Sequence, residues 1–214
     1  DEHAAPPWRA TLPGAAAGVA AGAQLLPDLL PLDLSRRLVR KNSRLTVDEA
    51  YAFPQSEPLG EGAFGVVVRA VHRRTGIERA VKRIDKTAHP DSEMLTREVE
   101  ALRLMDHPNI CRMIEWFETG RRLWIVTELC RGDDLCMLLE ALPQGVPEEQ
   151  AAALLAQMLR ATAHCHQRGV VHRDVKPENF LFLYGEERPA GAGGAAARGA
   201  AGDILKLIDF GFAA

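Results

Sequence analysis

The sequence is poor in the features that define the more specialised classes of protein. Its 214 residues hold four cysteines, Cys111, Cys130, Cys136 and Cys165, none in a CxxC pair. That density is too low for a disulfide-stapled secreted module and points to a reducing compartment, so a cytoplasmic location is expected. Aromatic residues make up 6% of the chain and charge of either sign is unremarkable: 26 Lys and Arg against 29 Asp and Glu give a formal net charge of -3. No global field would gather nucleic acid or an anionic membrane, so any polyanion handled here must meet a local site. The longest apolar stretch, 15–34, is broken by Gln24, Pro27, Asp28, Pro31 and Asp33, whereas a membrane helix needs about 20 mainly apolar residues. No transmembrane segment is expected. The first residue is Asp1 rather than Met, which leaves an upstream targeting or acylation signal open.

What is present changes texture along the chain. Residues 1–45 are rich in Ala, Gly, Pro and Leu, lack a sustained period, and end near the basic run Arg36 to Lys41. They are expected to be a flexible leader with a solvated basic end. Beyond Thr46, β-rich patches at 57–71 and 77–84 flank an Arg73-Arg74-Thr75-Gly76 turn and predict a hairpin of a small antiparallel sheet. The spacing of Leu95, Val99, Leu102 and Met105 predicts a helix over 92–105 that stops at His107-Pro108-Asn109. Strands are expected at 111–117 and 123–129, and a second helix over 148–168 with Ala151, Leu154, Leu155, Met158, Thr162 and Cys165 as its buried stripe. Two short apolar strands, 180–183 and 204–208, flank an Ala/Gly-rich insert at 189–202 that reads as a flexible loop at a hairpin tip.

Gly60-Glu61-Gly62-Ala63-Phe64-Gly65 matches GxGxxG, a weak signal that dinucleotide-binding folds and unrelated glycine turns share. A dinucleotide site needs a helix to open at the last glycine, whereas Gly65 leads into Val66-Val67-Val68, a run that favours strand. The glycines therefore belong to a strand-turn-strand tip, where backbone N–H groups can approach phosphate oxygens without obstruction. Lys82 lies 17 residues past Gly65 (82 minus 65) within an apolar strand. Alone it would read equally well as a snorkelling residue. Glu98, on the helix 16 residues on (98 minus 82), could pair with it and hold its ammonium toward phosphate; a lone helix glutamate is more often on a solvated face.

The strongest local signal is Val171-His172-Arg173-Asp174-Val175-Lys176-Pro177-Glu178-Asn179, followed by Asp209-Phe210-Gly211, with Asp209 30 positions past Asn179 (209 minus 179). With the glycine loop and the strand lysine, in this order, the chain resembles a eukaryotic protein kinase from about 51 to 214. The strings Asp106 to Ile110, Val126 to Cys130, and Phe180-Leu181-Phe182 resemble the calcium-dependent and calmodulin-dependent serine/threonine group. The implied fold is α+β and bilobal: a small antiparallel-sheet N-lobe over about 51–129 and the first part of a mainly helical C-lobe over about 130–214. By the same resemblance the 164 residues from 51 to 214 are about two-thirds of a catalytic domain, with exposed apolar surface and poor solubility or partial order expected in the large-lobe portion.

The resemblance also implies roles. Gly60, Glu61, Gly62, Ala63, Phe64 and Gly65 would cover the phosphates of ATP, Lys82 would hold the α- and β-phosphates, and Glu98 would orient Lys82. Asn179 and Asp209 would bind Mg²⁺, Asp174 would accept or orient the proton of the substrate hydroxyl, and Lys176 would stabilise the transferring group. Leu59, Val67, Ala80 and Leu181 would wall the adenine slot, with Thr127 at its back and Glu128 and Cys130 as hinge residues; aliphatic residues at such spacing are otherwise plain core. Leu102, His172 and Phe210 match an internal stack that couples the lobes. Lys176 after Asp174 implies Ser/Thr rather than Tyr hydroxyls on protein substrates, with basic residues nearby as a preference, and Arg173 resembles an activation-loop phosphate partner.

Gly132-Asp133-Asp134-Leu135 departs from the usual double glycine with Glu, although Asp134 keeps an acid where the family contacts ribose and a basic substrate residue. No D-x-[DN]-x-[DN]-G loop is encoded, so calcium or calmodulin could act only through a region outside these residues. Two other readings stay open: a non-catalytic nucleotide-binding or partner-binding module, and, less well matched, a dinucleotide oxidoreductase.

Overall fold

Three valines in succession favour extended backbone, and in the computed structural model the run from Gly65 to His72 is the long strand on which the N-terminal sheet is built. The structure describes residues 40–54, 58–62, 65–88, 92–184 and 203–210. The expectations for 1–39, Ala63, Phe64, the insert at 189–202 and Gly211 onward lie outside these residues. In chain order the elements are β1 (Arg40–Lys41), α1 (Val47–Ala50), β2 (Tyr51–Ala52), β3 (Gly60–Gly62), β4 (Gly65–His72), β5 (Glu78–Asp85), α2 (Ser92–Leu104), β6 (Met113–Glu118), β7 (Arg122–Glu128), α3 (Leu135–Glu140), α4 (Glu148–Gln167), β8 (Phe180–Leu183) and β9 (Ile204–Leu207).

The sheet runs β1-β6-β7-β5-β4, with β2 and β3 both pairing along β4, and β8 and β9 form a separate antiparallel pair. All contacts in the larger sheet are antiparallel apart from β1 against β6, which is parallel. This β1 pairing corrects the leader boundary. Arg40 and Lys41, read from sequence as part of a solvated basic tail, pair with Glu115 and Trp116. The Lys41 ammonium also reaches Glu118 at 2.6 Å. Backbone pairing and a cross-strand carboxylate are local gains that composition does not reveal. Thr46 then caps α1 in a reciprocal capping box with Glu49.

The pleat divides the sheet into two faces. Ala70, Val81 and Val126 lie on the face covered by Val47, Ala50 and Tyr51 of α1 and β2. Tyr51 is buried, and its hydroxyl donates to Glu115 Oε1 at 2.8 Å while Asn42 Nδ2 donates to Glu115 Oε2 at 2.9 Å. The alternate residues face the other way and form the roof of a cleft.

Below the sheet, the expected helix face is fully realised: Leu95, Val99, Leu102 and Met105 are all buried in the main core. The α4 stripe needs correction. Leu154, Ala161 and Cys165 are buried with Met158 packed against them, but Ala151 is exposed and Leu155 is 53% exposed. Positions 154, 158, 161 and 165 follow one helical face, and 155 stands about 100° around from 154. Inside, Gln157 ties α4 to its neighbours: its Oε1 accepts from Asn109 Nδ2 at 2.7 Å and from Leu205 N at 2.9 Å, and its Nε2 donates to Asp203 O at 3.1 Å.

Next to Asn109, whose backbone N donates to His107 Nδ1 at 3.0 Å, the His107 and His164 rings pack with centroids 5.0 Å apart. Burial pushes both imidazoles below their ordinary pKa, helped at His107 by the charges of His164, Lys206 and Arg160 and at His164 by Arg168. The unfolded chain protonates these histidines at about pH 6.5 and the folded chain only below that. Stability contributed by the pair is therefore full above this pH and is lost as the pH falls through and below it. Urea unfolding at about pH 7.5 and about pH 5.5 is expected to show a lower midpoint in acid, and His164→Phe, which keeps a ring but cannot take a proton, is expected to shrink that difference.

Candidate active site

One face of the sheet supplies the roof of the cleft by register alone. Gly60 lies opposite Val67, Val67 opposite Lys82, Lys82 opposite Ile125, and Ala80 opposite Thr127. Directly opposed residues of antiparallel strands project to the same side, so these side chains converge. The cleft has a volume of about 730 Å³, within the range of small-molecule sites. Of the residues singled out from sequence, Leu59, Gly60, Glu61, Gly65, Val67, Ala80, Lys82, Glu98, Thr127, Glu128, Cys130, Asp134, Asn179, Leu181 and Asp209 border it. Gly62 belongs to β3 and pairs with Gly65.

Gly65 is required by geometry. Its φ is +145°, and a Cβ there would lie 2.2 Å from the Arg83 carbonyl oxygen. Gly132 is similarly constrained, because an added Cβ would meet the Phe182 Cβ at 2.6 Å. It sits where the segment after β7 crosses β8, with Gly132 N donating to Phe182 O at 2.9 Å and Phe182 N to Asp133 O at 3.1 Å.

The polar end of the cleft is organised around Lys82. Its ammonium lies 2.6 Å from Glu98 Oε1 on α2 and 3.0 Å from Asp209 Oδ1 just beyond β9. Burial by itself would lower the Lys82 pKa, but the Glu98 and Asp209 carboxylates outweigh it and hold the ammonium above its ordinary value. Glu98 is 3% exposed, so the pair expected from spacing is a buried one.

Asp174 and its neighbours form the second cluster. Lys176 Nζ lies 2.9 Å from Asp174 Oδ2, and Asn179 Nδ2 donates to the Asp174 carbonyl at 2.7 Å and to Oδ2 at 2.9 Å. The Lys176 hydrogen bond, then that of Asn179, lowers the Asp174 pKa, and Asp174 in turn raises that of Lys176. Asn179 is presented by a single 3-10 turn, Pro177–Asn179. Behind it His172 Nε2 donates to Ile208 O at 3.0 Å and Nδ1 accepts from Asp174 N at 3.3 Å, which defines a neutral tautomer. Burial lowers its pKa and favours that form. The His172 ring stands edge-on to Phe210 at 4.8 Å, and with Leu102 all three expected stack residues are buried. Arg173 and Asp209 adopt φ of 66° and 58°, a left-handed backbone that costs energy and is retained at functional turns.

Three features extend the sequence reading. Asp134 borders the cleft, and its carboxylate also caps α3 by accepting from Met137 N at 2.8 Å; an Asp before Leu135-Cys136-Met137-Leu138 is the signal that would have located this helix. At the mouth Glu78 is joined to Arg131 and, at 3.5 Å, to Arg69. Lys206, paired with Glu128 behind the cleft, carried no sequence signal.

The larger sheet, the helical layer and the cleft that ends in Lys82, Glu98 and Asp209 are the arrangement that the resemblance to protein kinases implies. The family model described as the protein kinase domain matches residues 53–214, and the chain belongs to this family. It is 36% identical over 155 residues to calcium-dependent protein kinase 5 of Plasmodium falciparum, covering 72% of this chain and 25% of that protein. It is 35% identical to serine/threonine-protein kinase dkf-2 of Caenorhabditis briggsae, covering 77% of this chain and 13% of that protein. To human serine/threonine-protein kinase D2 it is 34% identical, over 86% of this chain and 19% of that protein. The chain thus spans a quarter or less of the length of these relatives.

Replacing Lys82 with Met would leave Glu98 buried without its cation. Unfolding by urea is expected to show a loss of about 3 kcal/mol, most of it recovered in the double variant Lys82→Met/Glu98→Leu, which removes the stranded charge.

Proposed function

We propose that this chain transfers the γ-phosphoryl group of Mg-ATP to Ser or Thr hydroxyls of protein substrates. The observation that carries the reading is the junction of Lys82 with both Glu98 and Asp209, beside the Asp174, Lys176 and Asn179 cluster. A fixed cation and hard oxygen donors border one end of a cleft whose other end is apolar, and the candidate base Asp174, itself outside the lining, is tied to that end through Asn179.

The residues fit both ligands. Leu59, Val67, Ala80 and Leu181 give an apolar slot for adenine, closed by Thr127 and bordered by the Glu128 and Cys130 segment. Asp209 and Asn179 offer oxygen ligands of the kind Mg²⁺ takes when it keeps its waters and the substrate phosphates; Asn179 uses its amide nitrogen on Asp174, so its carbonyl oxygen would be the ligand. A magnesium ion held by Asp209 and Asn179 would supply charge neutralisation at the phosphate oxygens.

The chain's own residues perform the rest. Glu98 fixes Lys82, whose ammonium holds the phosphates in line with the acceptor. Asp174, kept ionised by Lys176 and Asn179, accepts the hydrogen bond of the incoming hydroxyl and takes its proton. Lys176 offers charge to the transferring group. The acids at the rim, Asp134 and Glu178, favour substrates with basic residues near the acceptor. The reading includes a cytoplasmic setting, and calcium control reaching the domain through a segment outside this sequence.

Mg-ATP at about a hundred times its dissociation constant is expected to stabilise the chain by about 2.7 kcal/mol in a thermal-shift titration. Labelled phosphate should pass from ATP to a Ser-containing basic peptide, and Asp174→Asn should lower the rate about 10³-fold while leaving the thermal shift in place. A stabilised but inert protein would instead support a nucleotide-binding module; neither stabilisation nor transfer would refute both.

A further inference from the structure

Lys206 lies in β9, 6% exposed, and does not border the cleft. Its ammonium is 2.7 Å from Glu128 Oε1 at the end of β7. The same oxygen accepts from Arg112 N at 2.8 Å, and Glu128 N donates to Arg112 O at 3.0 Å. Two donors therefore anchor this carboxylate. Glu128 and Cys111 both border the cleft, and the Glu128 carbonyl accepts from the Cys111 thiol at 3.6 Å.

The strand that carries Lys206 is fixed on both sides of it, with Leu205 N donating to Gln157 Oε1 at 2.9 Å on one side. Leu207 N donates to Asn109 O at 2.8 Å and Cys111 N donates to Leu207 O at 2.9 Å. Across the pair, Lys206 stands opposite Leu181, on the floor of the cleft. Three residues further on (209 minus 206), Asp209 meets Lys82 at 3.0 Å. A single short strand thus sets both the segment at the base end of the cleft and the carboxylate at its phosphate end.

A purine with a 6-amino group donates to a backbone carbonyl, whereas a 6-oxo purine presents an acceptor and is repelled by it. An error in the placement of the Glu128 carbonyl would weaken the first and relieve the second. We infer that Lys206 is a positioning residue for adenine selection, acting through Glu128 to hold the carbonyl of the connecting segment in register with the base. This rests on the nucleotide reading of the cleft.

The test measures the dissociation constants of Mg-ATP and Mg-GTP by calorimetry on the whole chain and its variants. Lys206→Met is expected to weaken Mg-ATP about tenfold and to narrow the preference for ATP over GTP by a similar factor, about the worth of one hydrogen bond. Lys206→Arg, which keeps the charge, is expected to restore both. A role in stability alone would lower the melting temperature and leave the ATP to GTP ratio unchanged, and that result overturns the proposal. Should Lys206→Met fail to fold, Glu128→Gln keeps the acceptor for Arg112 but loses the charge; it must narrow the ratio too, and an unchanged ratio there overturns the proposal equally. If the unsubstituted chain binds no Mg-ATP, the nucleotide reading itself has failed.

Discussion

The Lys82 ammonium is held by two carboxylates from opposite sides of the cleft, Glu98 on α2 and Asp209 beyond β9. Neither contact is local: the first joins residues 16 apart and the second residues 127 apart. The arrangement holds only when the elements bearing these groups are all in place, because the buried Glu98 carboxylate left without its cation would be costly. The β4–β5–β7 register, the packing of α2 through Leu95, Val99 and Leu102, and the close of β9 on Asn109 are the scaffold that this arrangement requires.

Around that centre the structure separates rigid support from exposed chemistry. His172, Phe210 and Leu102 are buried and uncharged in their working form, whereas Asp174 and Lys176, which would meet the substrate, keep 27% and 46% of their side-chain surface. The pairing of Asp174 with Lys176 makes its carboxylate a weak base by equilibrium standards. On the proposed reading its contribution would be chiefly to fix the direction of the hydroxyl, with proton transfer following as the oxygen forms its bond to phosphorus.

Much of this was legible in the residues, and what was not has physical reasons. The α2 face and the glycine turn before Val66-Val67-Val68 announce themselves through period and propensity, which are local. Lys82 and Glu98 were paired correctly from order and spacing because a strand followed by a helix has few ways to pack. Lys206 was missed because its partner Glu128 stands 78 residues away, and nothing near either residue marks a buried ion pair. The two-residue β1 was missed because its pairing depends on the edge offered by β6, not on its own composition. Leu155 was assigned to the core because a wide apolar stripe does not say which of its flanks is covered.

The position of β1 has a consequence for the sheet as a whole. Without β1, β6 would be an edge of the larger sheet, and an uncovered edge strand presents a row of unused amides and carbonyls that invites another chain to add to it. Arg40 and Lys41 occupy that row from within the same polypeptide, and Asn42 N continues it by donating to the Trp116 carbonyl at 2.9 Å. The basic character of the segment, unfavourable for stacking against a like copy, makes the seal self-limiting. Residues that look like loose basic sequence thus keep the edge of the sheet from serving as a template for aggregation.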